Sequence, residues 1–406
     1  MTDLKPSSST EDHAPTTANP WKRTALLFVG HLVNDGFASF FAPLLPLLID
    51  RLDLSLAMAG LLGTVRIVVN SLMQPGLGYL VDRAQRPLLV VLGPILTVIA
   101  MSLIGRVANF TQLLVIMLVA GAGTALFHPA AAALVGAAKH ERRGLMMALF
   151  SSGGTFGGAL APVVIVAYIG AAGIERTPWL VVPALAAIVA FALPLRSHLP
   201  RPERRTHERF RLGHLPRRFF LLWFVIMLRA TSATAFASFL AVLVTTRGGS
   251  TFVGAAAISV FLLAGAGGSF LAGNLSDRFG RKAVLLGSML LATPFYILFL
   301  HGPTSLLLPA IGAAGLFALS ATPVGVVAAQ ECLPGRTGLV SGLVMGLAWG
   351  AGGLALTPIG WLADRLGLVA VMSVVALLPL AAAGLMVFYR DAQRPAARRA
   401  EAQSSE

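Results

Sequence analysis

Gly78-Tyr79-Leu80-Val81-Asp82-Arg83 and Gly273-Asn274-Leu275-Ser276-Asp277-Arg278 are two renderings of one phrase. Each closes a long apolar run just ahead of a short charged turn and another apolar run. A phrase repeated half a chain apart marks a duplicated unit, and apolar flanks of this length place that unit in lipid. Working outward, segments able to cross a bilayer, about 20 residues each, occupy 24–49, 57–81, 88–107, 111–138, 144–171 and 177–197, then 217–245, 251–275, 282–301, 304–330, 337–362 and 366–389. Other echoes fall in step. Phe37-Ala38-Ser39-Phe40 returns as Phe236-Ala237-Ser238-Phe239, and Arg142-Arg143-Gly144-Leu145 returns as Arg336-Thr337-Gly338-Leu339. With six spans apiece the copies keep one orientation, so an axis along the membrane normal relates them and a cavity lies between them. The expected fold is all-α, with twelve transmembrane helices in two six-helix pseudo-symmetric bundles.

Composition excludes an ordinary soluble domain: 56% of residues are hydrophobic, 12% are charged and the mean hydropathy is +0.79. The net charge of +14 invites a nucleic-acid reading. The basic residues, however, cap helices along one membrane face instead of forming one basic domain, so no nucleic-acid partner is expected. Short basic loops stay in the cytoplasm. Placing both termini there leaves only Arg51, Arg106, Arg176, Arg247 and Arg365 in outer loops, with Arg66 and Arg229 inside the membrane. The division that follows is a solvated tail at 1–20, a bundle at 21–197, a cytoplasmic linker at 198–216, a second bundle at 217–390 and a tail at 391–406. The first apolar run follows Lys22-Arg23 and lacks a small-residue cleavage site, so it reads as a retained helix, not a signal peptide. The single cysteine, Cys332, reads as a reduced thiol.

Depth singles out a few residues. Asp35 lies roughly 17 Å into its helix, Arg66 roughly 14 Å in from the other face and Arg229 roughly 18 Å in, so the three approach one plane of a core about 30 Å thick. A charge there costs on the order of 2.5–3.5 kcal/mol, which makes such residues candidates for function. His31 and Asp35 share a helix face, as do Arg66, Asn70 and Gln74. Asp35 with His31 is the candidate proton-coupling pair. Asn34, Arg66, Asn70, Gln74, His128 and Arg229 are the candidate substrate contacts. With neutral histidines the deep charges sum to one positive excess, which favours an anionic passenger. The alternatives are a fixed Asp35–Arg66 ion pair with Arg229 held by backbone carbonyls, and a His128 that merely serves the helix kinked at Pro129.

Asp82 and Asp277 stand at helix carboxyl ends, where the macrodipole disfavours an anion. Something must compensate them: a neighbouring Arg, or the amino end of a helix from the opposite half. The phrase therefore reads as a cytoplasmic gate built from Gly78, Asp82, Arg83 and Arg86 and again from Gly273, Asp277, Arg278 and Arg281. The alternative is a pair of fixed turn markers. Gly153, Gly154, Gly157 and Gly158 in the fifth span put small residues on one face for close helix contact. The glycine clusters are not nucleotide loops, because no strand precedes them. His140-Glu141-Arg142-Arg143 lacks the second His of a zinc helix. No metal, no cofactor and no enzymatic chemistry is therefore expected.

The doubled Gly-x-x-x-Asp-Arg phrase resembles the signature of the major facilitator superfamily over essentially the whole membrane portion. Within it, His31-Leu32-Val33-Asn34-Asp35, Gln74-Pro75, Phe127-His128-Pro129 and Arg142-Arg143-Gly144 resemble the bacterial fosmidomycin-resistance branch of drug exporters. The run Gly153 to Gly158 followed by Pro162 resembles the glycine-rich fifth helix of antiporters. The resemblance implies a secondary transporter that exports a small molecule in exchange for protons across the bacterial inner membrane. It also implies a packing role for Gly154, Gly158 and Pro162. The expected partners are a small-molecule substrate, protons and the bilayer, with the chain working as a monomer. Uptake of an organic or inorganic anion, export of a metal chelator, and a membrane sensor or scaffold are the competing readings.

Overall fold

The computed structural model describes residues 19–84, 88–136, 142–197, 216–333, 340 and 343–390. Most of the expected tail at 1–20, nearly all of the linker at 198–216, the tail at 391–406 and Arg86 lie outside the described residues. Among those described there are helices and no strands. Eleven segments are long and apolar enough to cross a membrane: Pro20–Leu52, Leu56–Gln74, Leu88–Arg106, Phe110–Gly136, Leu145–Ala172, Ile174–Arg196, Arg217–Thr246, Thr251–Phe279, Arg281–His301, Thr304–Cys332 and Leu368–Met386. The remaining one, eleventh in chain order, runs through a π-helical turn at Leu343–Ala348 into helices Trp349–Leu354 and Leu356–Leu366. The order therefore matches the twelve expected spans.

Local chemistry sets the ends. Asn19 caps the first span by accepting from Trp21 N at 3.0 Å and Lys22 N at 3.2 Å, with Pro20 at the first helical position. That span breaks at Ser39-Phe40 into Pro20–Ala38 and Phe41–Leu52. Pro43 causes the break: it offers no N–H to the Ser39 carbonyl, and its ring crowds that carbonyl. Asp53, at φ +50°, closes the second piece with its N–H on Ile49 O. On the face opposite the termini, basic side chains hold helix-end carbonyls. Arg51 donates to Gly105 O at 2.8 Å and pairs with Glu175 at 2.8 Å, while Arg247 donates to Phe299 O and, at 2.6 Å, to Gly302 O.

The core shows how the spans are assembled. One buried cluster, containing Phe40, Leu44, Leu62, Ile165, Phe236, Phe261 and Leu356, runs through spans from both halves at the face opposite the termini. Toward the terminal face the core divides. One cluster around Leu27, Phe127, Phe150 and Phe191 belongs to spans one to six, and another around Phe219, Val324, Met289 and Met386 belongs to spans seven to twelve. The halves are thus joined at one face and separately cored at the other. Large apolar side chains such as Phe270, Trp179 and Phe388 are exposed, as expected of a surface that meets acyl chains.

Candidate functional site

The junction of the halves holds a cavity of about 310 Å³ lined by Ser39, Arg66, Arg229, Thr234, Ser238 and Trp349 among others. Ser39 and Ser238 occupy the same place in the two copies of Phe-Ala-Ser-Phe, so the duplication delivers one hydroxyl from each half. The break at Ser39-Phe40 helps to shape this wall. Ser39 Oγ turns back to donate to Asp35 O at 2.7 Å. On the far wall, the π-helical turn at Leu343–Ala348 shifts the helix register immediately before Trp349.

Each half contributes one deep arginine. Arg229 is 3% exposed and donates through Nη1 to Ala318 O at 2.8 Å, yet its Nε has no hydrogen-bond partner. Arg66 also keeps a buried, unpartnered Nε. An unmet buried donor costs about 1–3 kcal/mol and more when charged, so both guanidinium groups are held beside the cavity with part of their hydrogen bonding unmet. Arg66 makes no ion pair with Asp35 within 4.0 Å: among the described residues, the basic side chains at that range from Asp35 are His31 and His128. Asn70 and Gln74 continue the polar stripe from Arg66, with Gln74 Nε2 donating to Asn70 Oδ1 at 3.0 Å.

Beside this cavity, spans one, four and five build a compact polar cluster. His31 Nε2 is 3.2 Å from Asp35 Oδ2, His128 Nε2 is 3.2 Å from Asp35 Oδ1, and the two Nε2 atoms are 3.1 Å apart. Asn34, fully buried, donates to Asp35 Oδ1 at 2.9 Å. His31 Nδ1 lies 2.8 Å from Phe150 O, and its ring stacks on Phe150 with centroids 4.4 Å apart. A carbonyl only accepts, so His31 Nδ1 carries the hydrogen. In the neutral ring, Nε2 would then turn a lone pair toward the carboxylate, acceptor against acceptor. One added proton on Nε2 converts that contact into a charge-assisted bond. Two ring nitrogens and one carboxylate oxygen, one atom from each residue, lie within 4.8 Å of one another, close enough to share one small cation. Asp35 and His128 side chains remain 25% and 26% exposed, so the cluster is open to exchange.

The fifth span explains how the cluster fits. A Cβ on Gly154 would strike His31 Nε2 and Asp35 Oδ2, whereas Gly153 and Gly157 abut the backbone carbonyls of Phe28 and Leu32. Closest helix approach therefore runs through Gly153 and Gly157, and Gly154 makes room for the polar pair. Gly158 meets only Ser39 Oγ, at 3.4 Å, and lines the cavity. Pro162 is buried within the same helix. The repeated phrase is split in its use. Gly78, Asp82 and Arg83 lie on the last turns of the second span, and the contacts of the first-copy gate fall outside the described residues. In the second copy, Asp277 pairs with Arg281 at 2.6 Å, and Arg281 also binds Glu331 at 3.2 Å, all within spans eight to ten. Arg278 lies beside the Phe279 ring, and Gly273 has open space where a side chain would go. The Phe150 carbonyl and Trp349 carry no sequence signal, and Asp364, which accepts from Leu56 N and Ala57 N across the halves, is missed by a search for a half-chain repeat.

Comparison with known proteins places this architecture. The Major Facilitator Superfamily profile matches residues 27–255 and 222–405. The chain is 31% identical over 363 residues to the Fosmidomycin resistance protein of Escherichia coli (strain K12), spanning 87% of this chain and 89% of that one. It is 28% identical over 376 residues to the uncharacterized MFS-type transporter YfnC of Bacillus subtilis (strain 168), spanning 89% and 91%. Among solved structures, a bacterial homolog of the human lysosomal transporter Spinster, inward-facing and occupied, superimposes with a TM-score of 0.75 at 19% identity over 92% of this chain and 97% of that one. A point mutant of the nucleoside transporter NupG gives 0.74 at 14% identity over 91% and 100%. The profile covers both halves of the duplicated bundle, and the chain is a transporter of the Major Facilitator Superfamily.

Proposed function

We propose that this transporter is a proton-coupled antiporter that exports a small anionic compound by alternating access across a bacterial inner membrane, with both termini in the cytoplasm. The observation that carries the reading is the His31–Asp35–His128 cluster, in which a proton on either histidine Nε2 can be shared with the carboxylate, set beside a cavity with an arginine from each half. Similarity to a resistance protein supports export. On this reading, a proton taken by the cluster offsets the carboxylate's charge near Arg66, which by itself strengthens the hold on an anion. Proton and passenger therefore alternate through the change of conformation, each occupying the molecule in a different state, and not through competition of charges. Arg66 and Arg229 supply charge-assisted donors to the anion, the stronger kind of hydrogen bond. Ser39, Thr234 and Ser238 supply neutral hydroxyls.

The test is reconstitution in vesicles with an imposed pH gradient, screening phosphonates, carboxylates, metal chelators and cationic drugs. Asp35→Asn is expected to abolish gradient-driven efflux while sparing substrate exchange. Full driven efflux by that variant would remove Asp35 from coupling, and a cation preference would remove the arginines from recognition. Flux toward the terminal face in the unmodified protein would favour uptake instead.

A further inference from the structure

The phrase at Gly78 and Gly273 occurs a third time. Gly360-Trp361-Leu362-Ala363-Asp364-Arg365-Leu366-Gly367 repeats the spacing of Gly273-Asn274-Leu275-Ser276-Asp277-Arg278-Phe279-Gly280, but it ends the eleventh span and so stands on the face opposite the termini. The backbones agree as well. Gly280 (φ 92°, ψ 156°) is the single residue between Phe279 and the helix starting at Arg281. Gly367 (φ 83°, ψ 141°) is the single residue between Leu366 and the helix starting at Leu368. Glycine alone takes that conformation freely.

In this third copy the aspartate reaches across the halves. Asp364 Oδ1 accepts from Leu56 N at 2.7 Å and Oδ2 from Ala57 N at 2.9 Å. The first N–H groups of a helix have no partner within it. At the second span, Ser55 Oγ takes Met58 N at 3.1 Å and the first intrahelical bond is Ala59 N to Ser55 O at 3.0 Å. The two remaining donors are met by a carboxylate from the other half, where the positive end of the helix dipole favours it. The surroundings are shaped for this approach. A Cβ on Gly60 would strike Leu356 O, a Cβ on Gly360 would strike Leu56 O, and Thr64 Oγ1 donates to Gly353 O at 2.7 Å.

We propose that Asp364 is the latch residue of the face opposite the termini. It caps the second span only while the halves are closed there, and release of that cap opens the cavity on that side. The proposal rests on the alternating-access reading, but its test needs neither a substrate nor a proton gradient. Spin labels at Ala108→Cys and Ser305→Cys, exposed positions of that face in the connections between spans, one in each half, are placed in a Cys332→Ser background, and their distance distribution is measured in nanodiscs. Asp364→Ala is expected to raise the longer-distance population about five- to tenfold, the equilibrium factor for losing a helix cap. Leu56→Pro, which deletes one donor at a helix position where proline is tolerated, should move it the same way. Arg365→Ala should not, because Arg365 stacks on Trp361 of its own span at 3.5 Å. A shift in either latch variant that is absent from Arg365→Ala supports the latch. Parent-like distances in whichever latch variants fold, or an equal shift in Arg365→Ala, overturn it. Because the export reading fails separately, by absence of driven efflux in the unmodified protein, the two failures are distinguishable.

Discussion

The segments Gly273–Gly280 and Gly360–Gly367 end their helices with the same framework of Gly, Leu, Asp, Arg and Gly and the same glycine geometry, but on opposite faces. The aspartate of the first turns to its own half, where Arg281 ties it to the Glu331 neighbourhood. The aspartate of the second crosses to the other half and caps a helix there. Around Gly273 there is open space, while at Gly360 backbone meets backbone. The core divides in the same sense, continuous across the halves at one face and separate at the other. A shared framework with opposite engagement teaches that the conformation of the whole molecule, not the phrase, decides whether the aspartate bridges.

The largest effect should come from wedging the closed face. Gly60→Leu puts a side chain against the Leu356 backbone, which has little room to yield, and overpacking of this kind costs about 1–3 kcal/mol or more. Gly273→Leu should leave the stability of this conformation unchanged. Thermal unfolding of the two variants checks the contrast, and equal destabilisation would erase it. A smaller effect separates neighbouring positions of the fifth span. Gly154→Ala intrudes on His31 and Asp35 and is expected to cut pH-driven flux by roughly tenfold, somewhat less than the loss of a positioned proton-transfer group. Gly158→Ala, with its nearest neighbour at 3.4 Å, should stay near the parent flux. Smallest of all, Asp277→Asn should cost at most about 1 kcal/mol, since the Asp277 side chain is 68% exposed and exposed pairs contribute little. A loss of several kcal/mol in denaturant titration would show that the open face is more tightly organised than its exposure indicates.

The architecture is legible because hydropathy and the doubled phrase are both properties of the linear chain. The third copy is out of step with a half-chain repeat. It belongs to the inverted relation that nests within six-span halves, and it sits on the other face. Arg66 and Arg229 are legible by depth alone, since any charge at mid-membrane calls for an explanation. Their shared cavity follows from how the halves meet. The pairing of His31 with Asp35 follows from helical spacing, whereas His128 and the Phe150 carbonyl come from spans whose rotation no local pattern records. In the fifth span the spacing of four reveals a small-residue stripe. Which of the two adjacent stripes takes the helix contact, here Gly153 with Gly157, depends on the azimuth of the first span. The break at Ser39-Phe40 lies within a continuous apolar run and is marked only by Pro43.

The most direct test of alternating access measures both faces in one preparation. Distances across the face opposite the termini, from residues 108 and 305, and across the terminal face, from residues 145 and 278, are followed from about pH 8 to about pH 5, where histidine changes charge. The two distributions are predicted to shift in opposite senses, one face opening as the other closes. Faces that open together, or one that moves while the other stays fixed, would contradict the mechanism.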